Sequence, residues 1–258
     1  MAIDFKVSDE GIALITINRP ERLNAMDAEH YQALSRAWCT VRDDPAIRVA
    51  IITGAGERAF TTGADIKSFL TAPTDLAEMW LTQRDQLLNR GLEVWKPVIA
   101  AVNGYCLGGG MTLLLATDIR VASSNATFSL AEVKRGVIAG NGGTQRVLQQ
   151  LPYAIAMEML LTGDGIDADT AARWGLVNKV VPQAELLDTA FAYARKIAAN
   201  APLAVQAAKE LALRSREMNL GTGLRIEAVI NRMLSMTEDA KEGPAAFAAK
   251  RAPDFKGR

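Results

Sequence analysis

The chain has 258 residues, with 29 Lys+Arg against 29 Asp+Glu and a formal net charge of zero. Its 49% apolar and 22% charged residues suit a globular chain with an ample core, and it lacks the bulk charge that binds proteins to nucleic acids or membrane surfaces. One histidine, His30, and two isolated cysteines, Cys39 and Cys106, exclude a multi-histidine metal site, a four-cysteine zinc site and a disulfide framework.

Residues 3–7 and 11–17 are rich in β-formers and flank Ser8-Asp9-Glu10-Gly11, which predicts a hairpin. Asp27 caps a helix running to about Asp43, with Leu34, Trp38 and Val41 on one face. Residues 48–53 form a continuous apolar strand buried on both faces, closed by Gly54-Ala55-Gly56. A polar loop (Thr61-Thr62-Gly63-Ala64-Asp65), a long helix over 75–95 and a second buried strand over 97–102 follow. Asn103-Gly104 turns, Gly108-Gly109-Gly110 opens a helix through Ala116, and 119–122 is a third strand. Strands alternating with helices predict a largely parallel sheet. Residues 183–250 are helix-forming with no strand candidate, and Asn200-Ala201-Pro202 reads as a joint. The expected organisation is an α/β core over 1–195 and a helical region over 196–258. The apolar stripe of that region (Leu224, Val229, Ile230, Met233, Leu234) must be covered by the chain's own core or by another subunit. The cysteine usage, and a start at Met1-Ala2-Ile3-Asp4 without a basic, apolar leader, predict a cytoplasmic protein whose chemistry comes from carboxylates, backbone amides and hydroxyls.

Three segments offer chemistry. Gly63-Ala64-Asp65-Ile66-Lys67 lets backbone amides approach a ligand, although a loop with an Asp helix cap has the same composition. Gly108-Gly109-Gly110 places three glycines at a strand-to-helix junction. A helix start leaves amides unpaired, as an oxyanion hole requires, while close helix–strand packing also selects glycine. Glu132 follows an apolar strand, Ala126 to Leu130, and precedes a glycine-rich turn. Beside apolar residues its carboxyl would have a raised pKa and could shuttle protons; on a surface it would pair with Lys134 or Arg135.

Taken in order, Ile15 to Pro20, Ala59 to Lys67, Pro97 to Gly110, Glu132 to Arg146, Leu161-Thr162-Gly163, Trp174-Gly175-Leu176-Val177 and Lys250-Arg251 resemble the crotonase, or enoyl-CoA hydratase/isomerase, superfamily over nearly the whole chain. The resemblance implies an α/β spiral of repeated ββα units, a C-terminal helical trimerisation region, and an acyl-CoA thioester substrate with no metal or redox cofactor. It implies a homotrimer or a dimer of trimers, with neither nucleic acid nor membrane as partner. By motif position the thioester oxygen would be held by the Ala64 and Gly109 N–H groups, with Glu132 as acid/base. Arg22, Leu23, Ala64, Asp65, Ile66, Lys67 and Gly109 would line the CoA path, and Lys250 and Phe255 would reach a neighbouring subunit's CoA. The acyl pocket would draw on Phe69, Leu70, Met79 and Trp80.

The sequence departs from the pattern at one decisive place. Hydratases of the family carry a second glutamate 20 residues before Glu132; here that position is Thr112. A threonine is no carboxylate acid/base, though its hydroxyl can orient water. Asn141 replaces the usual alanine of the glycine turn, where it either holds a water or substrate group or simply suits a left-handed turn. One carboxylate can shuttle a proton along a dienolate for Δ3,Δ2-enoyl-CoA isomerisation, or activate water for hydration by a specialised hydratase-like lyase if another group supplies the α-proton. A non-catalytic acyl-CoA-binding protein is the alternative of another class, although it would have no use for Glu132 or the oxyanion amides. A Rossmann dehydrogenase fails, because no G-x-G-x-x-G follows the first strand.

Overall fold

The computed structural model describes residues 1–67 and 86–258. The expected hairpin is β1 (Ile3–Val7) paired antiparallel with β2 (Ile12–Ile17), Ile3 opposite Ile17. Beyond β2 come β3 (Val49–Gly54), β5 (Val98–Val102), β7 (Ile119–Ser123) and β10 (Lys179–Val181), all parallel, in the order β1-β2-β3-β5-β7-β10. A second sheet runs β4 (Ala59–Thr61), β6 (Tyr105–Leu107), β8 (Thr127–Ser129) and β9 (Ile166–Asp167). Its first three strands are parallel and β9 is antiparallel. Each of β3, β5 and β7 feeds the next strand of the second sheet, and β6 runs into helix α2 (Gly109–Leu114). This is the ββα step. Strands of two or three residues such as β4, β6, β9 and β10 are too short to show a period, so sequence patterning passes over them.

Alternation along the long strands builds two cores. Val49 and Ile51 face one side with Ile12, Ile99 and Val121, and the helix α6 (Leu186–Ala198) covers them with Leu186, Ala190, Ala194 and Ala198. Ala50 and Ile52 face the other side with Ile15, Ala100 and Ala122. There they meet α1 (Ala28–Asp43) through Leu34, Trp38 and Val41, and the second sheet through Phe60, Cys106 and Phe128. Asp27 caps α1 by accepting from the His30 N–H at 3.2 Å.

Two buried asparagines clamp the crossing between the sheets. Asn24 donates to the Ala55 and Ala59 carbonyls and accepts from the Arg19 N–H, while Asn103 donates to Gly56 and Ala59 and accepts from the Gly54 N–H. The helix expected over 75–95 is corrected where it is described. Residues 86–95 carry only a 3-10 turn, Leu88–Arg90, stopped by Gly91 at φ 92°, a left-handed conformation that ends a helix. Residues 75–85, and the pocket residues Phe69, Leu70, Met79 and Trp80, lie outside the described residues.

Between the sheets and the C-terminal region run α3 (Gly143–Gln150), α4 (Tyr153–Thr162) and α5 (Ala168–Arg173). The C-terminal region continues past α6 as α7 (Pro202–Arg214), α8 (Leu220–Leu234) and α9 (Asp239–Ala248), with Pro202 in the first turn of α7. Lys209 ties α7 to the sheet through Asp118 at 2.7 Å and the Lys96 carbonyl at 3.0 Å. Helix α8 has no buried residue within the chain, and Leu220, Leu224, Val229 and Met233 are exposed. Among the described residues no helix is long and apolar enough to cross a membrane.

Candidate active site

The site is built where two glycine-rich segments cross. After β4 the chain passes Gly63 at φ 83°, and after β6 it passes Gly108 at φ 53° before entering α2. A Cβ on Gly63 would stand 2.5 Å from the Gly109 nitrogen, and one on Gly109 would stand 3.1 Å from the Gly63 Cα and 3.5 Å from the Ala64 nitrogen. Only glycine at both positions permits this approach, so the small residues here are used for contact as well as for turns. The Met26–Ala64 bridge fixes the first segment: Met26 N–H donates to the Gly63 carbonyl at 2.7 Å, and Asp65 N–H donates to Met26 at 2.9 Å. These bonds use the neighbours of Ala64 and leave its own N–H, like that of Gly109, without an acceptor among the described residues. Two adjacent free amides can both donate to one oxygen.

Glu132 lies against this crossing. Its Oε1 is 3.4 Å from the place a Cβ on Gly108 would occupy, and its Oε2 is buried with no hydrogen-bond partner among the described residues. It sits in the 3-10 turn Ala131–Arg135. Burial pushes its carboxyl above the ordinary 4.5, outweighing the opposing effects of its own backbone N–H and of Arg135. It is not the surface ion pair that Lys134 offered, because Lys134 pairs with Asp164 at 2.6 Å.

Thr112 is buried one turn into α2, its hydroxyl 3.3 Å from the Gly108 carbonyl. A Cβ on Gly143, the first residue of α3, would lie 2.9 Å from that hydroxyl. Thr112 therefore occupies the seam between the two glycine turns. Asn141 is exposed at φ 51°, the left-handed turn position, and its carbonyl accepts from Arg146 at 3.1 Å.

The remaining sequence candidates separate into two groups. Leu23, at φ 52°, accepts from the Thr62 N–H at 3.3 Å, so the 18–26 loop flanks the crossing, with Arg22 exposed on it. Ile66 and Lys67 are exposed just beyond Ala64. Asp65 is engaged internally: it pairs with Arg19 at 3.0 Å and accepts from the Lys67 N–H at 3.1 Å. Phe255 stands apart. Its carbonyl accepts from Arg48, just before β3, at the opposite end of the parallel strands from the 18–26 loop, and Lys250 is exposed.

Sequence patterning missed Arg19. Its Nη1 reaches Asp65 at 3.0 Å, the Ala25 carbonyl at 3.1 Å and Asp27 at 3.3 Å, joining the two loops that carry the site. Burial raises the Asp27 pKa, but the hydrogen bonds from His30 and the charges of His30 and Arg19 more than reverse this. Partners 46 residues apart leave no local signal. Among the described residues no cluster of side chains could hold a metal ion.

A family model described as enoyl-CoA hydratase/isomerase matches residues 8–258. The (E)-benzylidenesuccinyl-CoA hydratase of Thauera aromatica is 45% identical over 257 residues, covering 100% of each chain. The carnitinyl-CoA dehydratase of Salmonella typhi is 44% identical over 248 residues, covering 95% of this chain and 94% of its own. The solved enoyl-CoA hydratase of Bacillus anthracis superposes with a TM-score of 0.92 at 34% identity over 100% of both chains. That of Mycobacterium tuberculosis gives 0.90 at 39% identity, over 100% of this chain and 99% of its own. A full-length match of sequence and fold, around a crossing of free amides beside a buried carboxylate, places this chain in the enoyl-CoA hydratase/isomerase family, as an acyl-CoA enzyme with the crotonase fold.

Proposed function

We propose that the protein adds water reversibly across the double bond of a 2-enoyl-CoA thioester, with Glu132 as its single acid/base. The observation that carries this reading is the Glu132 carboxylate against Gly108, its Oε2 buried with no hydrogen-bond partner among the described residues, next to a segment whose Gly109 N–H, like that of Ala64, has no acceptor among them. The two amides hold the thioester oxygen and stabilise the enolate, each contributing about 3 kcal/mol of transition-state stabilisation. Ionised Glu132 takes a proton from water as the water oxygen attacks C3 and the electron pair of the double bond moves toward the thioester oxygen. The protonated carboxyl then returns that proton to C2, so hydrogen and hydroxyl enter on one face. The raised pKa suits the first half, since it makes the carboxylate a better base than a solvated glutamate. The Thr112 hydroxyl orients the water in place of a second carboxylate. The names of the relatives, a hydratase and a dehydratase, support hydration over isomerisation.

Loss of the conjugated absorbance of an enoyl-CoA, abolished in Glu132→Gln, is the expected result. Migration of the double bond in a 3-enoyl-CoA without hydration would convert the reading to isomerase. Binding with no exchange of α-deuterium would convert it to a non-catalytic binder.

We further propose that the exposed apolar face of α8 is covered by other copies of the chain in a trimer or a dimer of trimers.

A further inference from the structure

We propose that the Tyr31 hydroxyl is a third donor to the thioester oxygen, beside the N–H groups of Ala64 and Gly109. This inference rests on the oxyanion reading above and adds a side chain to that site. Tyr31 lies one turn into α1, its N–H bonded to the Asp27 carbonyl at 3.1 Å. The residue before that cap, Met26, is the one that bonds Gly63 and Asp65 on either side of Ala64. The helix start that carries Tyr31 and the segment that carries the Ala64 amide are therefore one hydrogen-bonded unit.

The three groups converge on Gly109. The place a Cβ on Gly109 would occupy is 3.5 Å from the Ala64 nitrogen and 3.6 Å from the Tyr31 hydroxyl. A point one bond from the Gly109 Cα is thus in contact with both, and only a residue without a side chain leaves that point to a ligand atom. Tyr31 is half-buried rather than sealed in the core. Its ring packs against the main core, and the Arg90 guanidinium carbon stands 5.7 Å from the ring centroid. A phenol held between core and cation is oriented before the ligand arrives, as preorganised stabilisation requires. A phenol offers one proton and two acceptor lone pairs, so it can donate to the ligand oxygen while accepting from a protein group. That donation strengthens as negative charge gathers on the oxygen in the enolate, so it acts on the transition state more than on ground-state binding. A tyrosine used only for packing could be exchanged for phenylalanine without loss of turnover.

Tyr31→Phe keeps the ring and removes the hydroxyl. It is expected to lower kcat for hydration of crotonyl-CoA on the order of 10²-fold while KM stays within about twofold. Infrared difference spectra of bound butyryl-CoA, isotope-labelled at the thioester carbonyl, supply the second readout, since this ligand has no double bond to hydrate. Binding to the unsubstituted chain should move the carbonyl band to lower wavenumber. Tyr31→Phe should give back part of that shift. The stronger donor 3-fluorotyrosine in place of Tyr31, of nearly the same shape, should enlarge it, and this comparison decides the matter if Tyr31→Phe fails to fold. An unchanged kcat and an unchanged band in Tyr31→Phe overturn the proposal. So does a lowered kcat with a band that neither replacement moves, which is the mark of a packing role. If butyryl-CoA does not bind the unsubstituted chain, or binds without shifting its band, the oxyanion reading falls with the proposal. The full pattern of band shifts on a chain that hydrates no enoyl-CoA supports the Tyr31 assignment and removes the hydratase reading alone.

Discussion

At the scale of the residue, the chemistry depends on keeping a carboxylate where it is poorly solvated. The folded-state pKa of Glu132 is raised, so its neutral form is favoured by the fold and its ionisation opposes folding. Its contribution to stability is full below the unfolded pKa and is lost as the pH rises through the raised folded value. Glu132→Gln should therefore raise the thermal midpoint at pH 7 while lowering kcat by about 10²–10⁴-fold. Thermal melts at pH 4 and pH 7 check the first part, because the stability gain should shrink at the lower pH. The kcat/KM of the unsubstituted enzyme should fall on the acid side with an apparent pKa above 4.5, as Glu132 takes up its proton. Thr112→Val keeps the volume and removes the hydroxyl. A drop of about fivefold in kcat, restored by Thr112→Ser, is expected if that hydroxyl places water, since a hydrogen bond contributes about 1 kcal/mol. An unchanged kcat would show that it does not.

At the scale of the element, the site is a contact between two turns. Gly63→Ala puts a methyl against the Gly109 nitrogen at a left-handed φ of 83°. It should cost on the order of 1–3 kcal/mol of stability, and it should also displace an oxyanion amide. Assay and denaturant titration on the same variant should show activity falling by more than the unfolded fraction explains. Asn24 acts one layer deeper. Removing its amide leaves the carbonyls of Ala55 and Ala59 and the N–H of Arg19 without those bonds. Asn24→Ala should cost about 3 kcal/mol in urea unfolding. Arg19 joins the same loops by charge-assisted bonds to Asp65 and Asp27.

At the scale of the whole molecule, the helical region divides its work. Helix α6 completes the core, α7 is pinned to the sheet through Lys209, and α8 leaves its apolar residues in solvent. Exposed apolar residues on one helix suit the assembly proposed above. Light scattering should give a mass of three or six protomers of 27.8 kDa. Substitution of Leu224 and Met233 by lysine should reduce that mass, while a single-protomer mass for the unsubstituted chain would remove the assembly proposal. The position of Phe255, at the far end of the sheet from the 18–26 loop, means that its expected contact with CoA requires such a neighbour.

The sequence by itself determined the hairpin, the parallel strands, α1 with its Asp27 cap and the helical C-terminal region, because each is written in a local period or a local cap. Through the resemblance carried by its ordered motifs, it also marked Ala64, Gly109 and Glu132. The tertiary structure alone decided which of these meet. Ala64 and Gly109 lie 45 positions apart in the chain, and their approach depends on bare Cα atoms at Gly63 and Gly109. The Glu132 carboxylate is shifted by burial, a property of the packed surroundings that the surface pairing with Lys134 or Arg135 would have reversed. The short strands of the second sheet, the Arg19 bridge and the ending of residues 86–95 at Gly91 follow the same rule. Each is fixed by partners distant in sequence or by a few residues too short to carry a pattern, so packing fixed what periodicity could not show.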